Sequence, residues 1–388
     1  MAAPKLRFKE FDADWISNKI IDLADYVDYR GKTPKKVESG ILLVTAKNIK
    51  QGYLDYSVSQ EFIEPSDFDE VMRRGKVELN DVLITTEAPL GNVASVDRTD
   101  IALAQRVIKY RGKIDLLDNL FLKQKFLSES FQEILKSKAT GGTVQGIKGS
   151  VLHQIPLIVP SKQEQTKIAS FLSNVDEKIS QLTQKHALLS QYKQGMMQKL
   201  FSQQIRFKAD DGSEFGEWVE WKFASCIDIF DNLRKPVSAS ERKVGFTPYY
   251  GANGIQSYID GYTHEGEFIL IAEDGANDLI NYPVQYVNGK IWVNNHAHVV
   301  SGKQHIVDNK FLKYRLGSID FTKYLVGGGR AKLNAGAMKE IAFLLPCLEE
   351  QTKIANFLSE IDQKIEVVAQ QIEQAKIWKK GLLQQMFV

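Results

Sequence analysis

The residues of this 388-residue chain that could do chemistry cluster in polar loops punctuated by glycine. Gly141-Gly142-Thr143-Val144-Gln145-Gly146-Ile147-Lys148-Gly149 offers backbone amides to a phosphate, but it lacks the Gly-x-x-x-x-Gly-Lys-Ser/Thr spacing of a nucleotide-binding loop. A hairpin or a DNA-facing loop is the expected reading. Tyr250-Gly251-Ala252-Asn253-Gly254 lacks the glycine spacing of a methyl-donor pocket, and Asn281-Tyr282-Pro283-Val284 is not the Asn/Asp-Pro-Pro-aromatic motif of amino-methyltransferases. His296 and His298 alternate along a predicted strand and so share a face, as two metal ligands would. No third ligand stands near them in sequence, so structural or DNA-facing roles are expected and no metal. Cys226 and Cys347 are too few and too far apart for a disulfide framework or a cysteine zinc site. The chain is therefore read as non-catalytic, with no cofactor of its own.

What these loops do offer is side chains suited to nucleic acid. Arg, Asn and Gln match base edges, and Lys matches phosphate. In the first half, Arg30, Lys32, Lys35 and Lys36 sit in a Gly/Pro-punctuated run, with Lys47, Asn48 and Lys50 behind a predicted strand. Thr143, Gln145 and Lys148 lie in the Gly-rich loop. In the second half the candidates are Arg234, Lys235, Asn253, His296, Arg330, Lys332 and Asn334. Net charge is only +2, so charge alone leaves no nucleic-acid footprint. Any such reading has to come from architecture.

The elements that position these loops are set by an internal repeat. Glu164-Gln165-Thr166-Lys167-Ile168-Ala169 returns 186 residues later (350 minus 164) as Glu350-Gln351-Thr352-Lys353-Ile354-Ala355, and the register holds without a gap to Phe201 and Phe387. Both copies predict long helices with a heptad seam. The first seam runs through Ile168, Leu172, Val175, Ile179, Leu182, His186, Leu189, Lys193, Met196 and Leu200, and the second through the equivalent positions from Ile354 to Met386. Lys193 and Lys379 interrupt it at equivalent places. Ser161, three residues before Glu164, predicts a capping box for the first helix. At about 1.5 Å per residue, some 40 residues span about 60 Å, the length of a spacer between domains.

Each helix is preceded by an α+β globule. Strands are predicted at 40–44, 82–86 and 106–110, and a helical stretch at 119–136. The second globule echoes the first through Ile205-Arg206-Phe207-Lys208 against Leu6-Arg7-Phe8-Lys9, through Trp218 against Trp15, and through a second Gly-rich segment at 327–334. The expected domains are 1–160, 161–203, 204–346 and 347–388. Two globules on matching helices predict a pseudo-two-fold object that binds partners in two equivalent copies. Off the seam, Phe171, Tyr192, Phe201, Phe357, Trp378 and Phe387 give more apolar bulk than a two-stranded seam needs. They are expected to pack on the globules or on partner subunits.

This arrangement resembles the specificity subunit of type I restriction-modification systems. In that family two target recognition domains alternate with two helical regions that begin Pro, a few residues, then Glu-Gln-x-x-Ile-Ala-x-Phe-Leu, as at 160–172 and 346–358 here. The resemblance implies a non-catalytic subunit that reads a bipartite site on double-stranded DNA. It implies an antiparallel coiled-coil spacer that docks two adenine-methyltransferase modification subunits, with restriction/translocase subunits joining outside. Methyl donor and ATP are expected on those partners. The alternative is a coiled-coil adaptor that joins two partners without touching DNA. The chain has no run of about 18 apolar residues and its start has no apolar signal core, so cytoplasmic placement without membrane association is expected.

Overall fold

The structure, a computed structural model, describes residues 4–29, 34–327 and 331–387. It divides into two compact units. The first comprises residues 1–183 and 370–388, and the second residues 184–369.

In the first unit, β1 (Ile16–Lys19) pairs antiparallel with β9 (Pro156–Val159), which joins the two edges of the globule just before the long helix begins. Strands β2 (Ala24–Asp28), β5 (Val82–Thr86), β6 (Leu90–Ser95) and β8 (Val107–Gly112) form a sheet of order β2-β8-β5-β6. A second sheet has order β4-β3-β7, from β3 (Ile41–Val44), β4 (Phe62–Ile63) and β7 (Ile101–Leu103). Every residue of β5 is buried. Its period of two sends Val82 and Ile84 into a core with helix α1 (Asn119–Leu127), and Leu83 into a core with Leu43, Val44 and Val107 on the opposite face. The predicted helix at 119–136 is interrupted at Ser128. That residue is extended, and its side chain accepts from Phe131 N at the start of a separate helix, Glu129–Ser137. Helix α2 (Lys162–Phe201) follows.

The second unit carries β10 (Val219–Lys222), β11 (Ile227–Ile229), β12 (Thr247–Gly251), β13 (Gly254–Ile259), β14 (His264–Ala272), β15 (Val284–Val293), β16 (Ala297–Gly302), helix α3 (Asn309–Leu316), β17 (Ala342–Leu345) and helix α4 (Leu348–Met386). β10 pairs with β17 as β1 does with β9. The remaining strands form one sheet of order β11-β16-β14-β15-β12-β13. This is the strand order of the first unit, with β15 running on where the first unit has the separate strands β6 and β7. The two globules therefore share one topology despite their weak sequence likeness.

Both long helices contribute to both units. The first half of α2 belongs with the second half of α4, and the second half of α2 with the first half of α4, which is an antiparallel pairing. All ten seam positions of α2, and all ten of α4, are buried or half-buried. In the first unit Asp176 of α2 meets the seam residue Lys379 at 2.5 Å, and in the second Asp362 of α4 meets Lys193 at 2.6 Å. The residue numbers of each pair add to the same total, so the register is equivalent in both units. Each carboxylate also takes a lysine from its own globule, Lys123 at 3.5 Å or Lys313 at 3.0 Å. The polar interruption of the seam is thus a point where helix, facing helix and globule are tied together.

The predicted capping box is half realised. Ser161 accepts from Glu164 N at 3.4 Å, but the Glu164 carboxylate turns away from the helix start. It is buried and receives Arg7 Nε and Nη2 at 2.7 and 2.8 Å, with Trp15 Nε1 at 3.4 Å. Glu350 does the same with Arg206 (3.1 and 2.7 Å) and Trp218 (3.1 Å). The adjacent glutamine completes the fastening. Gln165 accepts from Asp118 N and donates to the Leu116 and Pro160 carbonyls, and Gln351 accepts from Asp308 N and donates to Ile306 and Pro346. The repeated Glu-Gln pair therefore fastens each globule to its helix, beside the apolar contacts of Ile168 and Leu172 or Ile354 and Leu358.

Candidate nucleic-acid interface

In the first unit the loops at one end of the strands enclose two adjoining clefts of about 330 and 210 Å³ that share Gln105 and Arg106 in their lining. Lys148 and Val144 of the Gly-rich loop line the larger, and Lys36 and Lys47 line the smaller. The Gly-rich loop is closed by a bridge in which Thr140 and Gly146 exchange both backbone hydrogen bonds, at 2.8 and 2.9 Å. A second tie, Ile147 N to Thr86 O at 2.9 Å, fixes it to the end of β5. Gly141 takes φ 113°, a conformation that favours glycine. Thr143 and Gln145 stand exposed on this loop, as do Lys35 and Lys47 on theirs, and Lys50 is half-buried. Lys36 forms a surface pair with Glu61 at 2.7 Å. The structure thus brings together Lys36, Lys47 and Lys148 from three separated stretches.

The second unit repeats the construction. Val326 and Lys332 exchange backbone hydrogen bonds at 2.9 Å each, and Leu333 N donates to Glu273 O at 2.8 Å. Asn253 stands exposed in the β12–β13 turn, where it donates to Gly275 O and accepts from Asn277 N. His296 Nδ1 faces Asp274, and Lys332 Nζ pairs with Glu273 at 2.9 Å. These three are gathered around the connection after β14. Lys235 is exposed nearby, its backbone held by Val293 and Trp292.

Several expected contacts are corrected. Asn48 is fully buried, and its side chain accepts from Thr45 N and Oγ1 while donating to Asp55 O and Ser59 O, so nothing remains for DNA. Arg234 is 16% exposed and is spent on Glu273 (2.7 Å), Asp231 (3.4 Å) and the Ala297 carbonyl. Asn334 caps a short helix by accepting from Ala337 N at 2.8 Å. Arg30, Lys32 and Arg330 lie outside the described residues. His296 and His298 do not share a strand face, because β16 begins at Ala297. His298 is buried between Asp231 (2.5 Å) and the Leu333 carbonyl (2.8 Å). Asp231, Glu273 and His298 bring ligand-type atoms within 4.8 Å of one another, but Arg234 and Lys332 already neutralise Glu273. Burial alone would raise the Asp231 and Glu273 pKa values, yet both lie below the usual range: His298, the Val299 amide and Arg234 outweigh burial at Asp231, and hydrogen bonds from Arg234 and Lys332 do so at Glu273.

Four of the six expected docking aromatics pack against rings of their own unit, Phe387 buried and the other three half-buried. Phe201 packs on Phe311, Phe387 on Phe121, Phe357 on Phe207, and Phe171 lies against Phe8 and Trp378. Tyr192 and Trp378, at equivalent helix positions, stay 51% and 53% exposed.

Sequence reasoning passed over Gln105 and Arg106, which line both clefts, and Asn295, which stands exposed beside His296. The signal was present: polar pairs interrupt apolar runs at Ala104-Gln105-Arg106-Val107 and Val293-Asn294-Asn295-His296.

With this geometry in hand, comparison with known proteins is informative. The family profile described as type I restriction modification DNA specificity domain matches twice, over residues 14–191 and 218–376. A Haemophilus influenzae protein provisionally named a type I restriction enzyme specificity subunit is 49% identical over 144 residues, 37% of this chain and 37% of its own length. The Methanocaldococcus jannaschii type I restriction enzyme MjaVIII specificity subunit is 24% identical over 402 residues, covering 95% of this chain and 91% of that one. The crystal structure of the type I restriction-modification S subunit from M. genitalium has the same fold, with a TM-score of 0.67 at 18% identity, over 100% of this chain and 99% of that one.

Proposed function

Since the chain belongs to the type I restriction-modification DNA specificity family, we propose that it reads a bipartite target on double-stranded DNA, one half-site per globule. It is a specificity subunit and so the non-catalytic component of its enzyme. The observation that carries the bipartite reading is that two globules of one strand order each gather polar and basic loop residues at the same end of the sheet. Helices that run unbroken through both units support a spacer that sets the unread gap. Tyr192 and Trp378 are candidate docking points for two modification subunits, because equivalent exposed aromatics would serve two copies of one partner. Restriction/translocase subunits join outside, and the methyl donor and ATP belong to those partners. Among the described residues no helix is long and apolar enough to cross a membrane. The place of action is the cytoplasm.

The test is to exchange residues 1–160 for those of a relative and map methylated adenines after reconstitution with the modification subunits. One half of the target should change and the other stay. A change in both halves refutes modular readout. Binding that shows no salt-dependent preference for one duplex over another would point instead to the adaptor role.

A further inference from the structure

We propose that Gln105–Arg106 and Asn295–His296 are equivalent reading turns, one per half-site, with Arg106 taking the major-groove edge of a guanine and Asn295 that of an adenine. The inference rests on the bipartite reading above and adds the residues and base classes.

The equivalence is built from backbone. Thr86 N donates to Arg106 O at 2.9 Å, and Glu273 N donates to His296 O at 2.9 Å, so each turn is tied to the end of the central strand, β5 or β14. The next residue along, Glu87 or Asp274, bridges to the Gly-rich loop at Gly146 or Lys332. The same acidic residue also holds the turn's side chain, Glu87 with Arg106 at 2.6 Å and Asp274 with His296. Strand end, turn and Gly-rich loop thus form one assembly in each globule. Sequence spacing hid it, since 106 and 296 differ by 190 and not by the 186 of the helices.

These turns are held where a base edge could be met. Arg106 adopts φ 70°, uncommon for a residue with a Cβ and of the kind that clusters at functional sites. Its side chain is 56% exposed and lines both clefts. The partner turn is fixed by a hydrogen bond from His296 N to Asn294 Oδ1 at 2.8 Å, which leaves Asn295 exposed at the tip. Side-chain chemistry then assigns the bases. A guanidinium fork matches O6 and N7 of guanine, and a carboxamide matches N6 and N7 of adenine. The carboxylate beside each turn orients a neighbouring donor and, being anionic, disfavours a phosphate at that spot. The lysines around the rim, Lys36, Lys47 and Lys148, suit the backbone.

The experiment uses the full chain reconstituted with its modification subunits. Methylated adenines are mapped for wild type, Arg106→Lys, Arg106→Ala and Asn295→Ala. Each arginine variant should relax one guanine position of one half-site by about tenfold to a hundredfold, the range of a lost bidentate contact, with the other half-site intact. Asn295→Ala should relax one adenine position of the opposite half-site. Arg106→Lys keeps charge and fold but not the fork, so it separates base reading from misfolding. Uniform weakening across sequences with a shallower salt slope would mean a phosphate contact and overturn the assignment. Full retention of specificity, or relaxation at a different base, would overturn it too. A wild type with no split-site preference would instead fail the bipartite reading itself.

Discussion

Replacing Glu164 by leucine removes the carboxylate on which the first globule is fastened to α2. Glu164 is 1% exposed and Arg7 17%. The variant leaves a partly exposed guanidinium with the Ala13 carbonyl at 2.5 Å and the charges of Asp12 and Asp14 near it. Removing one partner of a buried pair costs about 3–5 kcal/mol, and the partial exposure of Arg7 favours the lower end, about 3 kcal/mol. Replacing both residues, as Arg7→Met with Glu164→Leu, should recover most of this, because apolar substitutes of similar volume are often neutral. The coupling energy of the double-mutant cycle should then be about 2–3 kcal/mol. The assay is hydrogen exchange on the intact chain, read on the segments around β1, β9 and the start of α2. It reports local opening without requiring two-unit unfolding to be a single step. The Arg206–Glu350 pair in the second unit provides a replicate. A coupling below about 0.5 kcal/mol in both units would refute the view that the repeated Glu-Gln pair is a fastener.

Three further outcomes are expected. Burial alone would raise the Asp176 pKa, but Lys379 and Lys123 outweigh it and hold it low; Asp362 is held low likewise by Lys193, Tyr314 and Lys313. A carboxylate with a depressed folded-state pKa stabilises above its unfolded value of about 3.9 and loses that contribution as pH falls through the folded value. Asp176→Asn should therefore flatten the acid limb of a urea-midpoint profile between about pH 4 and pH 2, and an unchanged limb would contradict this. Gly112→Ala and Gly302→Ala should each destabilise their unit by more than about 1 kcal/mol, since the added Cβ would sit 2.2 Å from Leu117 O or 2.4 Å from Val307 O; melting within 1 °C of wild type would show that the strand-to-helix turn can yield. Adding one heptad to both α2 and α4 lengthens each by about 10 Å and should widen the unread DNA gap by up to about three base pairs with both half-sites kept. An active variant with an unchanged gap in methylation mapping would mean that the helices do not set it.

The seam of α2 and α4 was legible from residue types alone, because period and burial in a long helix are local consequences of spacing. Every seam residue named from sequence is buried or half-buried. Strand β5 was also legible, with the predicted bounds, although its burial on both faces came from the tertiary packing. A second repeat was visible but passed over. Gly112-Lys113 to Asp118-Asn119 returns as Gly302-Lys303 to Asp308-Asn309, and in both copies the asparagine accepts from the glycine N at 2.7 Å. Its shift of 190 residues falls out of step with the helices because the loops between have diverged.

Tertiary structure alone decided which polar residues were spent inside the fold. Asn48 and Arg234 look like base readers by type, yet their polar groups are engaged by partners up to 63 residues away, and the Asn334 side-chain oxygen is taken by a helix cap. Buried polar groups must be paired, and the partner that satisfies them is chosen by the fold and not by sequence spacing. The same holds for Phe201 and Phe387, whose rings close on Phe311 and Phe121. Arg106 shows the converse. Its type was unremarkable in sequence, and only a left-handed backbone at the meeting of strand end and Gly-rich loop turns it toward the clefts.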